Sequence, residues 1–377
     1  MLAIQELERA PQLSPAAVDA FLSSHQFPLV EGPTVTFVFR GEADAVYLQH
    51  WIYGLESAQA FARIPRSDLW FLVMDLPEGS RVEYKLVVEA RGQKQMVSDP
   101  LNPHHARDPY GANSVVHGAG YERADWVDVD PEARPGTIEE HRLLSETFGE
   151  VRPIKVYLPA RFRETRRYPL LVVHDGEDYL RFSVLQTVLD NLIHRLEIPP
   201  MVVALTQSPN RLQEYAADET HSRFLVEELV PLLEDRYPLL STPAGRGIMG
   251  ASFGAVASLF TAWKNPGFFG SLLLQSGSFA FTDIGDHDRG PLFDPIVDFV
   301  NDFRAAPGKP ADQVFVSCGT YESLIYYNRS MLPLLQSTGM AVRYAEARDG
   351  HNWENWRDRL REGLSWLFPG PVWLVYE

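Results

Sequence analysis

The sequence predicts an α/β fold, a mostly parallel sheet flanked by helices, preceded by a smaller all-β domain. Three observations carry this. From about residue 168 onward, short apolar runs alternate with amphipathic helical stretches, the pattern of a parallel sheet covered on both faces. From about 31 to 118, short strands with period-two patterning are separated by turn residues, the pattern of an antiparallel sandwich of immunoglobulin-like type. Between the two, the acidic, proline- and glycine-containing segment 123–137 reads as a linker. The predicted order is therefore a helical lead-in (1–30), a sandwich (31–122), the linker (123–137) and the larger domain (138–377).

Composition bounds the function. At 377 residues, with 45% hydrophobic and 22% charged residues, the chain is long enough for two cores. A net charge of −16 argues against nucleic acid and anionic membranes as partners, because phosphate neutralisation needs basic patches. A single cysteine, Cys318, excludes an intramolecular disulfide and a cysteine-rich zinc site. The first nine residues are acidic and helical in pattern, without the basic-then-apolar order of a signal peptide, and no stretch approaches membrane-spanning length. These point to a cytoplasmic protein.

Each element follows from local pattern. Ser14-Pro15 reads as an N-cap and first helical residue. Thr34 to Arg40, Ala45 to Trp51, Trp70 to Leu76 and Arg81 to Val88 read as sandwich strands, with a last short one near Asn113 to Val116. Glu139 to Leu158 reads as two antiparallel strands turning near Gly149. Leu170 to Val173 is a continuous apolar run, as expected of a strand buried on both faces. Then come a helix near 184–196, a strand at 201–205 and a helix at 218–236. Strands at 271–276, 313–318 and 341–347 alternate with helices near 295–306, 325–337 and 353–366.

The most informative stretch is Gly250-Ala251-Ser252-Phe253-Gly254. A strand-like segment, Gly245 to Met249, precedes it and a helix-like one, Ala255 to Lys264, follows. Strand, Gly-x-Ser-x-Gly, helix is a nucleophile elbow: the turn is so tight that residues two before and two after the serine must lack side chains. Ser252 Oγ would then stand at the carboxyl edge of the sheet, with a helix amino terminus aimed at it. The plainer reading is a Gly-Ser turn with small residues for helix packing.

A serine hydroxyl needs a base, and the base an orienting carboxylate. In α/β-hydrolases these follow in the order serine, acid, histidine. Only His287 and His351 come after Ser252. His351 lies between a strand and a helix, at the correct edge, whereas His287 sits in a polar loop. Glu322 follows directly on the strand ending at Cys318 and is the expected acid, with Asp283, Asp286, Asp294 and Asp298 as competitors. Two amides should hold the oxyanion: Phe253, and Glu177 in the loop His174-Asp175-Gly176-Glu177-Asp178, where Gly176 gives room to turn. Trp353 and Trp356 could wall an acyl pocket or be core. Arg211 and Glu214 could line the mouth of the cleft or form a mutual surface pair. No metal or organic cofactor is required by this chemistry.

These residues resemble the enterochelin (ferric-enterobactin) esterase family, within the esterase-D-like α/β-hydrolases, over nearly the whole chain. The resemblance rests on Phe37 to Gly41, Arg81 to Tyr84 and Asp99-Pro100-Leu101-Asn102-Pro103 in the sandwich. In the larger domain it rests on His174 to Asp178, Arg211 with Glu214-Tyr215, Met249 to Gly254, and Gly350-His351-Asn352-Trp353 with Trp356. Gly319 to Ile325 is similar to the acid-bearing loop of feruloyl esterases, which carry aspartate where Glu322 stands. The resemblance implies serine-dependent hydrolysis of a small-molecule ester, and leaves the ester open among siderophore lactones, feruloyl or acetyl sugars and thioesters. Acyl transfer to an alcohol, a non-catalytic carbohydrate-binding protein and a homodimer remain the alternatives to be tested.

Overall fold

A computed structural model describes residues 1–9, 13–282 and 287–371. The chain divides into two compact units. The first contains Met1–Arg123 together with two short returns of the later chain, Gly319–Glu322 and Ala347–Asn352; the second contains the rest.

The first unit is built from two antiparallel sheets. One has the order β1 (Leu29–Glu31), β2 (Thr34–Arg40), β6 (Leu69–Asp75), β5 (Ala62–Arg63). The other runs β4 (Ala58–Ala60), β3 (Ala45–His50), β7 (Arg81–Ala90), β10 (Gly111–His117), β9 (His105–Asp108), with β8 (Gln93–Val97) paired to β7. Their facing side chains form one core that includes Val35, Phe37, Val46, Leu48, Tyr84 and Leu86. The pattern of β2 predicts a strand buried on one face, yet its middle four residues are all buried. The reason is the lead-in. Helices α1 (Ala3–Glu8) and α2 (Pro15–Ser24) place Ile4, Val18 and Phe21 in a second cluster with Val38 and Leu69, covering the outer face of that sheet. Ser14 caps α2 as its sequence predicts, accepting from the Ala17 amide.

The Asp99-to-Pro103 motif is structural. Buried Asp99 accepts from the Tyr84 hydroxyl at 2.6 Å, and Asn102 Nδ2 donates to the Val115 carbonyl at 2.8 Å. Together they tie the irregular exit to β7 and β10.

The second unit is organised on an eight-stranded sheet. Its order is β11 (Thr137–Ser145), β12 (Glu150–Leu158), β14 (Val202–Thr206), β13 (Leu170–Val173), β15 (Arg246–Ala251), β16 (Ser271–Gln275), β17 (Gln313–Gly319), β18 (Ala341–Ala347). The β11–β12 and β12–β14 pairs are antiparallel; β13 is parallel to β14 and β15, and β15–β16 and β16–β17 are parallel too. Alternate residues of one strand enter different cores. Leu170, Val172, Ile248, Leu272 and Leu274 face one, and Leu171, Val173, Met249 and Leu273 face the other. That explains why these strands read as continuous apolar runs.

The helices are α3 (Gly176–Phe182), α4 (Leu185–His194), α5 (Arg211–Glu214), α6 (Glu219–Arg223), α7 (Val230–Arg236), α8 (Phe253–Lys264), α9 (Asp294–Ala305), α10 (Ile325–Ser337) and α11 (Trp353–Leu367). A stretch with π-helical hydrogen bonding, Phe224–Leu229, joins α6 to α7, so the single predicted helix at 218–236 contains a wide turn. The segment read as a linker belongs from Ala124 onward to this unit. Asn191 Nδ2 donates to the carbonyls of Trp126 and Asp128, and Asp190 accepts from the Gly136 amide. Among the described residues no helix is long and apolar enough to cross a membrane.

Candidate active site

The elbow is present with the strain it requires. Strand β15 ends at Ala251, α8 begins at Phe253, and Ser252 between them has φ 57° and ψ −119°. Such a conformation costs a residue with a side chain about 1–3 kcal/mol, held here by its surroundings. The Ser252 amide donates to the Gln275 carbonyl at 2.9 Å, and the Ser252 carbonyl accepts from the Ser278 amide at 3.2 Å. Gly250 is sterically needed, and Gly254 is tightly packed. A Cβ on Gly250 would lie 2.5 Å from the Gly254 carbonyl carbon, and one on Gly254 would lie 3.1 Å from His174 Cβ. Gly250→Ala is therefore expected to destabilise the protein by at least about 1–3 kcal/mol and to displace the serine. Thermal unfolding together with turnover checks this; a variant with unchanged melting and unchanged rate contradicts it.

Ser252 Oγ lies 3.1 Å from Ser278 Oγ. Ser278 stands in Gln275-Ser276-Gly277-Ser278, directly after β16 and so at the same edge of the sheet, and that position is its signal in the sequence. Gln275 itself is buried and links three elements. Its Oε1 accepts from the Tyr179 hydroxyl on α3 at 2.7 Å, and its Nε2 donates to the Trp356 carbonyl on α11 at 2.8 Å.

The oxyanion candidates are both at helix starts. Phe253 opens α8 and Glu177 lies in the first turn of α3, which begins where the sequence suggested only a loop. Gly176 carries α3 hard against β14: a Cβ there would lie 2.6 Å from Leu205 Cα. Among the described residues neither the Phe253 nor the Glu177 amide has a hydrogen-bond partner, as expected of the first residues of a helix. The Glu177 side chain pairs with Lys155 at 3.1 Å.

Glu322 and His351 are brought together within the first unit. His351 Nδ1 lies 2.5 Å from Glu322 Oε2, so the Nδ1–H donates to the carboxylate and Nε2 is left as the basic nitrogen. Glu322 Oε1 accepts from the Gly319 amide at 2.7 Å, and the Glu322 side chain is almost wholly buried. Among the competitors, Asp294 is taken by His287, whose Nε2 lies 2.9 Å away on an exposed loop. Asp298 lies on α9, and Asp283 and Asp286 fall outside the described residues.

Three substrate-contact expectations change. Arg211 does not pair with Glu214. Its guanidinium is held by buried Asp175, with Nε 2.8 Å from both carboxylate oxygens, and Nη2 reaches the Ala251 carbonyl at 3.4 Å. Glu214 is 6% exposed and both its oxygens go to Arg152, at 2.8 and 3.1 Å. It is a buried carboxylate paired with Arg152 and not the surface partner of Arg211. Trp356 is likewise buried, donating from Nε1 to Ser276 Oγ at 2.9 Å, which makes it core; Trp353 packs edge-on against Tyr179 and keeps partial exposure.

Burial alone would raise the Glu214 carboxyl, but hydrogen bonds from His221, Arg152 and Ser208 outweigh it and hold the group at about 2, below its ordinary 4.5. A depressed folded-state value means that the contribution is complete above 4.5 and is lost as pH falls from there toward 2. Glu214→Ala leaves buried Arg152 with only the half-exposed Glu150 carboxylate, 3.2 Å from its Nε, and should cost up to about 3–5 kcal/mol. Chemical denaturation at pH 7 and pH 3 checks both points: the variant should be much weaker at pH 7, and its deficit should shrink at pH 3. An unchanged denaturation midpoint at pH 7 contradicts the assignment.

Behind the elbow, His174 is fully buried, with Nδ1 3.1 Å from the Met249 carbonyl and Nε2 3.0 Å from His221 Nε2. Burial first, and His221 second, push its pKa well below the ordinary histidine value. A neutral imidazole therefore supports Gly254 and the elbow.

Comparison with known proteins decides the family. The sequence profile of the Esterase family ("Putative esterase") matches residues 145–367. The chain belongs to this esterase family. It is a carboxylic ester hydrolase. Among its relatives, the uncharacterized protein YjcH of Bacillus subtilis (strain 168) is 30% identical over 148 residues, 37% of this chain and 62% of that protein. The iron(III) enterobactin esterase of Dickeya dadantii (strain 3937) is 25% identical over 351 residues, 83% of this chain and 80% of that one. The crystal structure of the enterobactin esterase FES from Shigella flexneri has TM-score 0.75 at 21% identity, covering 93% of this chain and 97% of that one. That likeness establishes the fold, an α/β-hydrolase with a preceding β-rich region, as the residues predict.

Proposed function

We propose that this esterase works through an acyl-enzyme formed on Ser252, with His351 as general base and Glu322 as its orienting acid. The observation that carries the reading is the strained elbow at Ser252, since nothing in packing calls for a serine at φ 57° with glycines on both sides. The 2.5 Å contact between His351 and Glu322 supports the second half. In the first step His351 Nε2 accepts the Ser252 proton as Oγ attacks the ester carbonyl. The resulting oxyanion is held by the Phe253 and Glu177 amides, at helix amino termini that favour negative charge. The imidazolium, stabilised by Glu322, gives its proton to the leaving alcohol. Water activated by His351 then releases the acid and restores Ser252. No step requires a metal or organic cofactor.

The proposed substrate is a siderophore-type ester, on the strength of the Dickeya relative that aligns over most of both chains. A second reading has its own support. Arg211, the cation beside the elbow, is already neutralised by Asp175, and the chain carries −16 overall. That favours a neutral feruloyl or acetyl ester over a multiply anionic iron complex. We also place the protein in the cytoplasm, supported by a lone buried cysteine and an acidic composition.

Hydrolysis of a panel tests the reading: p-nitrophenyl acetate and butyrate, ethyl ferulate, acetylated xylo-oligosaccharide, and enterobactin with and without iron. Turnover of enterobactin above the rest supports the siderophore reading, and preference for ethyl ferulate or acetylated sugar supports the second. Ester formation with an added alcohol would identify an acyltransferase. No turnover and no reaction with a fluorophosphonate would favour a binding protein.

A further inference from the structure

We infer that Arg81, on strand β7 of the sandwich, is a positioning residue for the general base: through Asp349 and Asn352 it fixes the loop that carries His351. This rests on the reading of His351 as that base. Arg81 has no solvent exposure. Its Nη1 donates to Asp349 at 3.2 and 3.3 Å and to Asn352 Oδ1 at 3.1 Å, and its own amide donates to the Arg348 carbonyl at 2.9 Å. The arginine thus grips the loop two residues before His351 and one residue after it. Asp349 Oδ1 closes the turn by accepting from the Gly350 amide and from Asn352 Nδ2, each at 2.7 Å.

The same knot reaches the acid. The Asp349 carbonyl accepts from the Tyr321 amide at 3.0 Å, and Tyr321 immediately precedes Glu322. The Tyr321 hydroxyl lies 2.5 Å from Ser80 Oγ, next to Arg81, and the Tyr321 carbonyl accepts from the Tyr53 amide at 2.7 Å. Backbone and side chains of the sandwich therefore hold both the loop bearing the base and the loop bearing the acid.

The Arg81 contacts set the geometry of the loop beyond what they add to stability, although removing one partner of a buried pair also weakens the fold. A buried ion pair of this kind is often no more stabilising than apolar residues of equal volume. Its guanidinium offers several donors in a fixed planar fork, which suits gripping separate acceptors. His351, meanwhile, has 36% of its side chain exposed, so packing alone does little to hold the imidazole. Burial pushes the Asp349 carboxyl up to about 6 even with Arg81 beside it, and Glu83 on the other side of the guanidinium opposes its ionisation further. The carboxylate that shapes the loop depends on that arginine.

The test uses full-length Arg81→Gln, Arg81→Lys, Asp349→Asn and His351→Ala, with kcat and KM on a p-nitrophenyl ester and a thermal unfolding curve for each. A loop displaced by about 1 Å can cost on the order of 100-fold in rate. Arg81→Gln and Asp349→Asn should each lower kcat by about 10- to 100-fold with KM nearly unchanged, and Arg81→Lys should recover part of the loss. The Arg81→Gln/Asp349→Asn double variant should be no slower than the worse single one, because both act through one contact. Wild-type kcat in folded Arg81→Gln, or a loss confined to KM or to melting temperature, overturns the inference. Should Arg81→Gln fail to fold, Asp349→Asn, which keeps shape and removes charge, decides by the same criteria. Full activity in His351→Ala would instead overturn the general-base reading; an inactive His351→Ala beside fully active Arg81→Gln and Asp349→Asn would overturn this inference alone.

Discussion

Ser252→Ala should lower kcat by roughly 10⁴- to 10⁶-fold while leaving KM, thermal unfolding and circular dichroism close to wild type. The size follows from covalent catalysis. In the proposed mechanism no acyl-enzyme forms without Oγ, and only the oxyanion amides and substrate binding remain to accelerate attack by water. The unchanged fold follows from the contacts. The elbow is held by the backbone amide and carbonyl of Ser252, through Gln275 and Ser278, and by Gly250 against Gly254. The hydroxyl itself contacts Ser278 Oγ, so its loss removes little that holds the elbow. Relief of strain at φ 57° is not available to alanine, so no large gain in stability is expected either. Turnover in a rigorously purified Ser252→Ala sample is the measurement, and activity within tenfold of wild type would remove the serine from the mechanism.

His351→Ala should reach a comparable loss, and Glu322→Gln a loss of up to about 10⁴-fold in kcat. Glutamine can present its NH₂ to Nδ1, which favours the wrong tautomer and turns Nε2 into a donor. It also removes the charge that stabilises the imidazolium. In the proposed mechanism serine, base and acid act as a unit, so His351→Ala/Glu322→Gln should be about as slow as His351→Ala alone. Kinetic constants for the two single variants and the double variant check this. Additive losses, or wild-type kcat in Glu322→Gln, would show that the 2.5 Å contact is structural only.

Legibility differed by feature for physical reasons. The elbow was readable because its rule is local: two glycines, one serine, a strand before and a helix after. Strands β13, β15 and β16 were readable because burial on both faces leaves no polar alternation. Glu214 was not, because its partner Arg152 is 62 residues away in sequence and only the folded sheet brings them together. The partner of Arg211 was hidden for the same reason, since Asp175 is 36 residues distant. The start of α3 was hidden by Asp175-Gly176, which reads as a turn; Asp175 does adopt a left-handed φ of 54°, but a helix follows at once. Strand β2 looked half-exposed because nothing in its own residues reveals that α1 and α2 cover its outer face. Arg81 was legible only as part of the run Arg81 to Tyr84 and not in its contacts: an arginine opening an alternating strand reads as solvent-facing, and its partners Asp349 and Asn352 lie 268 and 271 residues away.

Peptide mapping after reaction with a fluorophosphonate shows whether Ser252 is the activated nucleophile proposed for this esterase. A single adduct is expected on the peptide containing Gly250-Ala251-Ser252-Phe253-Gly254, absent in Ser252→Ala and formed far more slowly in His351→Ala. An adduct on another residue, or none in enzyme that is turning over ester, would contradict it.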